Sequence, residues 1–202
     1  MRGLVVGLGS MGKRRVRLIK GFFEGAELCG VDSSAARRKE ASELFSIECF
    51  PSIKEAVEAF SPEAAFVCTS PLSHAVIIKE LLSYNLNVFT EINLVSDGYE
   101  ENVRTAKEKG LTLFLSSTPL YRRETQFIEK TVKETKGALC YRYHVGQYLP
   151  DWHPWEKYDE FFVGAVRTNA IRELLCIELP WLLRAFGDIA EYQCQWGKTS
   201  ML

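Results

Sequence analysis

Gly7-Leu8-Gly9-Ser10-Met11-Gly12 sets three glycines at the spacing G-x-G-x-x-G, between an apolar run, Leu4–Val6, and a stretch of helical character, Ser10–Phe23. The chemistry of such a turn belongs to its backbone. Gly7 permits the tight bend, Gly9 lets the main chain approach a diphosphate, and Gly12 lets helix and strand pack closely. The helix start at Ser10, Met11 and Gly12 then offers free N–H groups to an anion. Asp32 stands about twenty residues on, where a carboxylate accepts hydrogen bonds from ribose hydroxyls. Together these residues are expected to bind NAD, because Asp32 would repel the extra phosphate of NADP. Ser33, Ser34, Arg37 and Arg38 follow at once and could cradle that phosphate, so NADP stays the alternative. The plainer reading of the two arginines is a solvated helix face, and that of the glycines a turn with no ligand.

These residues need a scaffold, and the periodicity of the chain supplies one. Strands are expected at Leu4–Val6, Glu27–Val31, Glu48–Phe50, Ala64–Cys68, Asn87–Thr90 and Leu111–Leu115. Helices are expected at Ser10–Phe23, Ser34–Phe45, Ile53–Phe60, Leu72–Tyr84 and Tyr99–Lys109. Regular β-α alternation argues for an α/β fold with a parallel, doubly wound sheet, a Rossmann domain. After Ser116 the pattern changes. Arg122–Lys136 reads as one helix, Ala138–Tyr148 as a longer strand of a different sheet, and Leu149–Glu160 as a loop. Thr168–Phe186 reads as a helix interrupted at Pro180, and Ala190–Trp196 as one more strand-like stretch. The expected organisation is a dinucleotide-binding domain at 1–120, a connecting helix at 121–136 and a partial α+β substrate or oligomerisation domain at 137–202. That last segment is short for an independent core, so it is either truncated or completed by another subunit.

Composition narrows the function classes. The 202 residues are 47% hydrophobic and 25% charged, as in an ordinary globular protein. A net charge of −1 offers no field to recruit nucleic acid or an anionic membrane. No run approaches the roughly 20 apolar residues that span a bilayer, and the start runs straight into a strand, so a cytoplasmic protein is expected. Six cysteines, none in a C-x-x-C pair, read as reduced core thiols and not as a metal site.

Several segments in order, VVGLGSMGKRRV, GVD at 30–32, CTSPLSHAVIIKELL at 68–82, NVFTEINL at 87–94 and ELLCIELPWLLRAFGD at 173–188, make the chain resemble the Gfo/Idh/MocA family of sugar and polyol oxidoreductases. The resemblance implies that Thr69, Ser70, Pro71 and His74 form the loop after strand four that lies against the cofactor. It implies that Glu91 lines the nicotinamide side. It also marks departures. Ile92 and Asn93 stand where the family has a catalytic lysine and a proline. Ile177 stands where it usually has an acid/base histidine, and Glu173 aligns with an aspartate of the second-domain helix.

Hydride transfer at a carbinol carbon leaves a hydroxyl proton for some group to accept. With isoleucine at both usual positions, the local candidates lie in the run from His144 to Trp155, which mixes histidines, an acid and aromatic faces suited to sugar rings. His153, Asp151 and Glu173 are the candidates for substrate and proton handling. Glu178 is five residues beyond Glu173, roughly 140° around a helix, so the two are not expected to act as a pair. The alternative for the run is a packed loop anchored by its tryptophans. Tyr121, Arg122 and Arg123 could bind an anionic or hydroxylated substrate, or simply begin a surface helix. The expected activity is that of an NAD(P)-dependent oxidoreductase acting on a sugar, sugar derivative or polyol, in a self-associating protein. The alternative is a non-catalytic dinucleotide-binding sensor or assembly subunit.

Overall fold

Arg2–Val6 forms β1, and Leu4, Val5 and Val6 are all buried, as in a strand covered on both faces. The computed structural model describes residues 1–146, 148, 151, 154, 157, 158, 160–193 and 195. They fall into two compact units, Met1–Ser116 and Ser117–Leu202.

In the first unit β1 is followed by α1 (Ser10–Phe22), β2 (Glu27–Val31), α2 (Ala35–Phe45), β3 (Glu48–Phe50) and α3 (Ile53–Phe60). Then come β4 (Ala64–Val67), a short 3-10 turn at Pro71–Ser73, α4 (His74–Ser83), β5 (Asn87–Thr90), α5 (Tyr99–Glu108) and β6 (Leu113–Leu115). All neighbouring strands run parallel in the order β3-β2-β1-β4-β5-β6. The order reverses between β1 and β4, and such a switch point is where open α/β sheets bind ligands. This is the doubly wound α/β sheet the periodicity predicts.

Alternation along β1 divides the core. Leu4 and Val6 pack with Ile53, Ala56, Ile78, Leu81 and Ala106 of α3, α4 and α5. Val5 packs on the other face with Val16, Ile19 and Ala41 of α1 and α2. Helix starts follow local chemistry. Ser34 accepts from the Arg37 amide, and at α3 the Ser52 hydroxyl accepts from the Glu55 amide while donating to the Glu55 carboxylate.

Register levels the sheet's carboxyl edge. Val6 is opposite both Val31 and Val67, and Val67 is opposite Thr90. The next residue on each strand, Gly7, Asp32, Cys68 and Glu91, therefore emerges at one height around the switch point.

The second unit holds a 3-10 turn at Thr118–Tyr121, α6 (Arg123–Glu134), a turn at Phe162–Gly164 and α7 (Ala170–Phe186). Helices α6 and α7 are joined by Glu129, which pairs with Arg184 at 3.0 Å and Lys133 at 2.7 Å. Three expectations fail here. Residues 138–146 form no strand: their aromatic side chains suit one, but a strand exists only where a neighbour takes its backbone hydrogen bonds. Tyr141 and Tyr143 instead pack perpendicular to the Trp181 ring. Nor does Pro180 interrupt α7, which runs through it with Glu178, Trp181 and Ala185 buried around it. The loss of one amide is outweighed there by burial on either side. Ala190–Gln193 is likewise not a strand; Cys194 and Trp196 lie outside the described residues. Of the cysteines, Cys29 and Cys68 are buried thiols, whereas Cys140 is exposed. Among the described residues no helix is long and apolar enough to cross a membrane.

Candidate functional site

The turn from β1 into α1 has the shape its glycines predict. Gly7 sits at φ +90°, and a Cβ there would lie 2.8 Å from the Thr69 methyl and 2.9 Å from the Cys68 carbonyl carbon. Its N–H donates to the Val31 carbonyl at 2.7 Å. A Cβ on Gly12 would lie 1.8 Å from the Gly7 carbonyl oxygen, so only glycine lets α1 come this near the strand end. Gly9 differs from both. It is the N-cap of α1, no side chain caps the helix, and a Cβ there would meet nothing within 4 Å. Open space thus faces the exposed residues Ser10 and Met11 and the uncapped first turn, which suits a diphosphate.

Asp32 closes one side of this turn. One carboxylate oxygen accepts from the Leu8 amide and the other from the Ser34 amide, each at 2.8 Å. Its side chain is 6% exposed, and the Arg37 guanidinium lies 3.8 Å away. Arg38 is turned elsewhere: its Nη1 donates to the carbonyls of Asp32 at 2.7 Å and Ser33 at 2.9 Å.

The β4 side closes the other flank. The Ser73 hydroxyl lies 2.8 Å from Thr69 Oγ1 and 2.7 Å from the Ser70 carbonyl. His74 is buried beneath this loop. Its Nε2 faces the Thr69 carbonyl at 3.0 Å, and since a carbonyl only accepts, Nε2 carries the hydrogen. Its Nδ1 is then an acceptor, and the Asn93 side-chain amide, 2.7 Å away, satisfies it by presenting its N–H.

Glu91 donates its amide to the Val67 carbonyl at 3.0 Å and pairs its carboxylate with Arg15 of α1. The Arg15 guanidinium lies 4.3 Å from the centre of the Phe89 ring. Burial, with the Glu91 charge beside it, pushes the Cys68 thiol up to about 12 against the opposing pull of Arg15, so it is no nucleophile. Arg15 and the partnership of Asn93 with His74 escaped sequence reasoning.

The first unit thus gathers Gly7, Gly9, Ser10, Met11, Gly12, Asp32, Thr69, Ser70, His74 and Glu91 at one edge. The second unit carries the other candidates. Glu173 lies buried on α7, and burial alone pushes its carboxyl from 4.5 to about 7. Glu178 accepts from Trp181 Nε1 at 2.6 Å. Ile177 is on the same helix. Asp151 is exposed. His153 lies outside the described residues.

Residues 1–117 match the Gfo/Idh/MocA model, the oxidoreductase family with an NAD-binding Rossmann fold. Solved structures with the same fold include the WlbA dehydrogenase of Bordetella pertussis, in complex with NADH and UDP-GlcNAcA, at a TM-score of 0.63 and 19% identity, over 66% of this chain and 43% of that one. The scyllo-inositol dehydrogenase of Lactobacillus casei matches at a TM-score of 0.60 and 20% identity, over 66% and 41%. GenD2 from gentamicin A biosynthesis, in complex with NAD, matches at 0.62 and 18%, over 66% and 39%. The matched part of this chain thus spans about two fifths of each of these structures. No curated protein matches it by sequence.

Proposed function

Because the chain belongs to the Gfo/Idh/MocA family of NAD-binding oxidoreductases, we propose that it is an NAD(P)-dependent oxidoreductase transferring hydride to or from a sugar, sugar derivative or polyol, as a self-associating cytoplasmic enzyme. The observation that carries the reading is the uncapped start of α1 at Gly9, open in front and flanked by the anchored Asp32. The dinucleotide, when bound, supplies the hydride chemistry. The chain's residues bind and orient. The first amides of α1, at Ser10, Met11 and Gly12, hold the diphosphate. Asp32 accepts from the ribose hydroxyls on the β2 side and favours NAD over NADP. Thr69, Ser70 and Glu91, with His74 behind them, shape the reactive end.

Glu173, Asp151 and His153 are the residues we assign to substrate and proton handling. Burial supports Glu173, since a carboxyl at about 7 gives and takes a proton near neutral pH. The substrate class draws support from relatives solved with UDP-GlcNAcA or described as inositol dehydrogenases.

A second reading, a dinucleotide-binding sensor or assembly subunit without chemistry, is favoured by Ile92 and Ile177, whose side chains neither give nor take a proton. NADH titration followed by nicotinamide fluorescence, and then a dehydrogenase screen over sugars, nucleotide sugars and polyols, decides between the two. Turnover establishes the enzyme. Binding without turnover favours the second reading, and no affinity for NAD(H) or NADP(H) rejects both.

A further inference from the structure

Asn93 is nineteen residues from His74 in sequence, yet its side-chain amide lies 2.7 Å from the ring's Nδ1, to which it donates. We infer that Asn93 is a positioning residue: it fixes the His74 ring, and through the ring the Thr69–Ser70 loop that receives the nicotinamide half of the dinucleotide. The inference rests on the dinucleotide-binding reading proposed above.

The connection is continuous. Asn93 follows β5, and its contact orients the ring. The opposite nitrogen, Nε2, donates to the Thr69 carbonyl at 3.0 Å. The Thr69 methyl in turn lies 2.8 Å from where a Cβ on Gly7 would stand, so the loop is seated against the glycine turn. Strand order decides which half of the ligand is affected. Asp32 takes the adenosine ribose on the β2 side of β1, so the remainder of the dinucleotide runs toward β4, on the opposite side.

Packing alone would not hold the ring. His74, Thr90 and Asn93 border a cavity of about 50 Å³, shared with Ile78, Val95 and Leu113. A ring beside open space has room to turn once its Nδ1 partner is removed. Thr90 Oγ1, at 3.4 Å, is too far to replace Asn93, and it lies 3.0 Å from the Glu91 carbonyl.

The test compares two ligands on the full chain. NADH engages both flanks of the turn, whereas ADP-ribose lacks the nicotinamide. Asn93→Leu keeps the side chain's shape and removes its hydrogen bond. It should weaken NADH roughly fivefold to tenfold, the loss of one hydrogen bond, with ADP-ribose affinity unchanged. Asn93→Gln keeps an amide N–H that can donate to Nδ1, with the bordering cavity to take its extra methylene, and should restore NADH to near the wild-type value. Equal NADH affinity in wild type and Asn93→Leu would overturn the inference. So would a parallel loss of both ligands with a lowered Tm, because that pattern marks a merely structural residue. If Asn93→Leu does not fold, Asn93→Ser serves under the same criteria. Wild-type chain that binds neither ligand refutes the dinucleotide reading itself, a distinct result from a selective-loss experiment that comes out flat.

Discussion

The Leu8 amide donates to the Asp32 carboxylate at 2.8 Å, across the gap between the glycine turn and the end of β2. Leu8 is fully buried, so this contact fixes the turn and the carboxylate as one unit. Asp32→Ala should therefore fail in two ways. The amide loses its partner, at a cost of about 1–3 kcal/mol, and ribose binding loses its acceptor. NADH titration should show affinity reduced at least about tenfold, with a lowered Tm. Unchanged affinity would remove Asp32 from the site.

Gly9 and Gly12 should separate binding from folding. Gly12→Ala drives a methyl into the Gly7 carbonyl, and the chain should lose several kcal/mol of stability or not fold. Gly9→Ala projects into open space with an allowed φ of −70°. Its folding cost should stay near about 1 kcal/mol, that of alanine at an N-cap, while NADH binding is lost. Thermal melts beside titrations of both variants check this. Full NADH binding by Gly9→Ala would show that the space in front of α1 is not the diphosphate site.

Arg15 and Glu91 should behave as a coupled pair. Removing either alone leaves a part-buried charge unpaired, so Arg15→Met and Glu91→Gln should each destabilise by about 1–3 kcal/mol. The double variant should cost less than the sum of the two. Urea unfolding of all four proteins gives the coupling, and strict additivity would mean that the pair contributes nothing.

Glu173 predicts a pH dependence whose sign is fixed. Its carboxyl is raised in the folded chain from 4.5 to about 7, so between those values the folded state binds more protons than the unfolded one. Stability must then fall as pH rises through that window. Glu173→Gln should be less sensitive than wild type over about pH 5 to pH 8, by thermal melts at intervals. Parallel profiles would show that the residue is ionised in the folded protein. In a dehydrogenase assay the same variant should lower kcat and flatten its pH profile.

The first unit was largely legible because each strand there has both of its determinants in the local sequence. Glu27–Val31 and Asn87–Thr90 are apolar runs bounded by turn residues, and both appear at those bounds. The glycine spacing likewise reports backbone clearances that no other residue meets. The second unit was less legible. Tyr141 and Tyr143 have side chains suited to a sheet, but residue type does not tell whether a neighbouring strand exists. Pro180 carries a local signal against helix that burial of Trp181 and Glu178 overrides. The pairings of Arg15 with Glu91 and of His74 with Asn93 join segments far apart in sequence, so only the fold reveals them.

Arg38 bears on how this protein would be redesigned. Its guanidinium grips the two carbonyls at the tip of β2, so it works as a clasp for the strand. A conversion to the phosphorylated dinucleotide that enlisted Arg38 would unfasten that clasp. Arg37, 59% exposed and 3.8 Å from the Asp32 carboxylate, loses that pairing once residue 32 is neutral. Cofactor exchange in this scaffold would begin by pairing a neutral residue at 32 with the arginine already next to it, leaving its neighbour untouched.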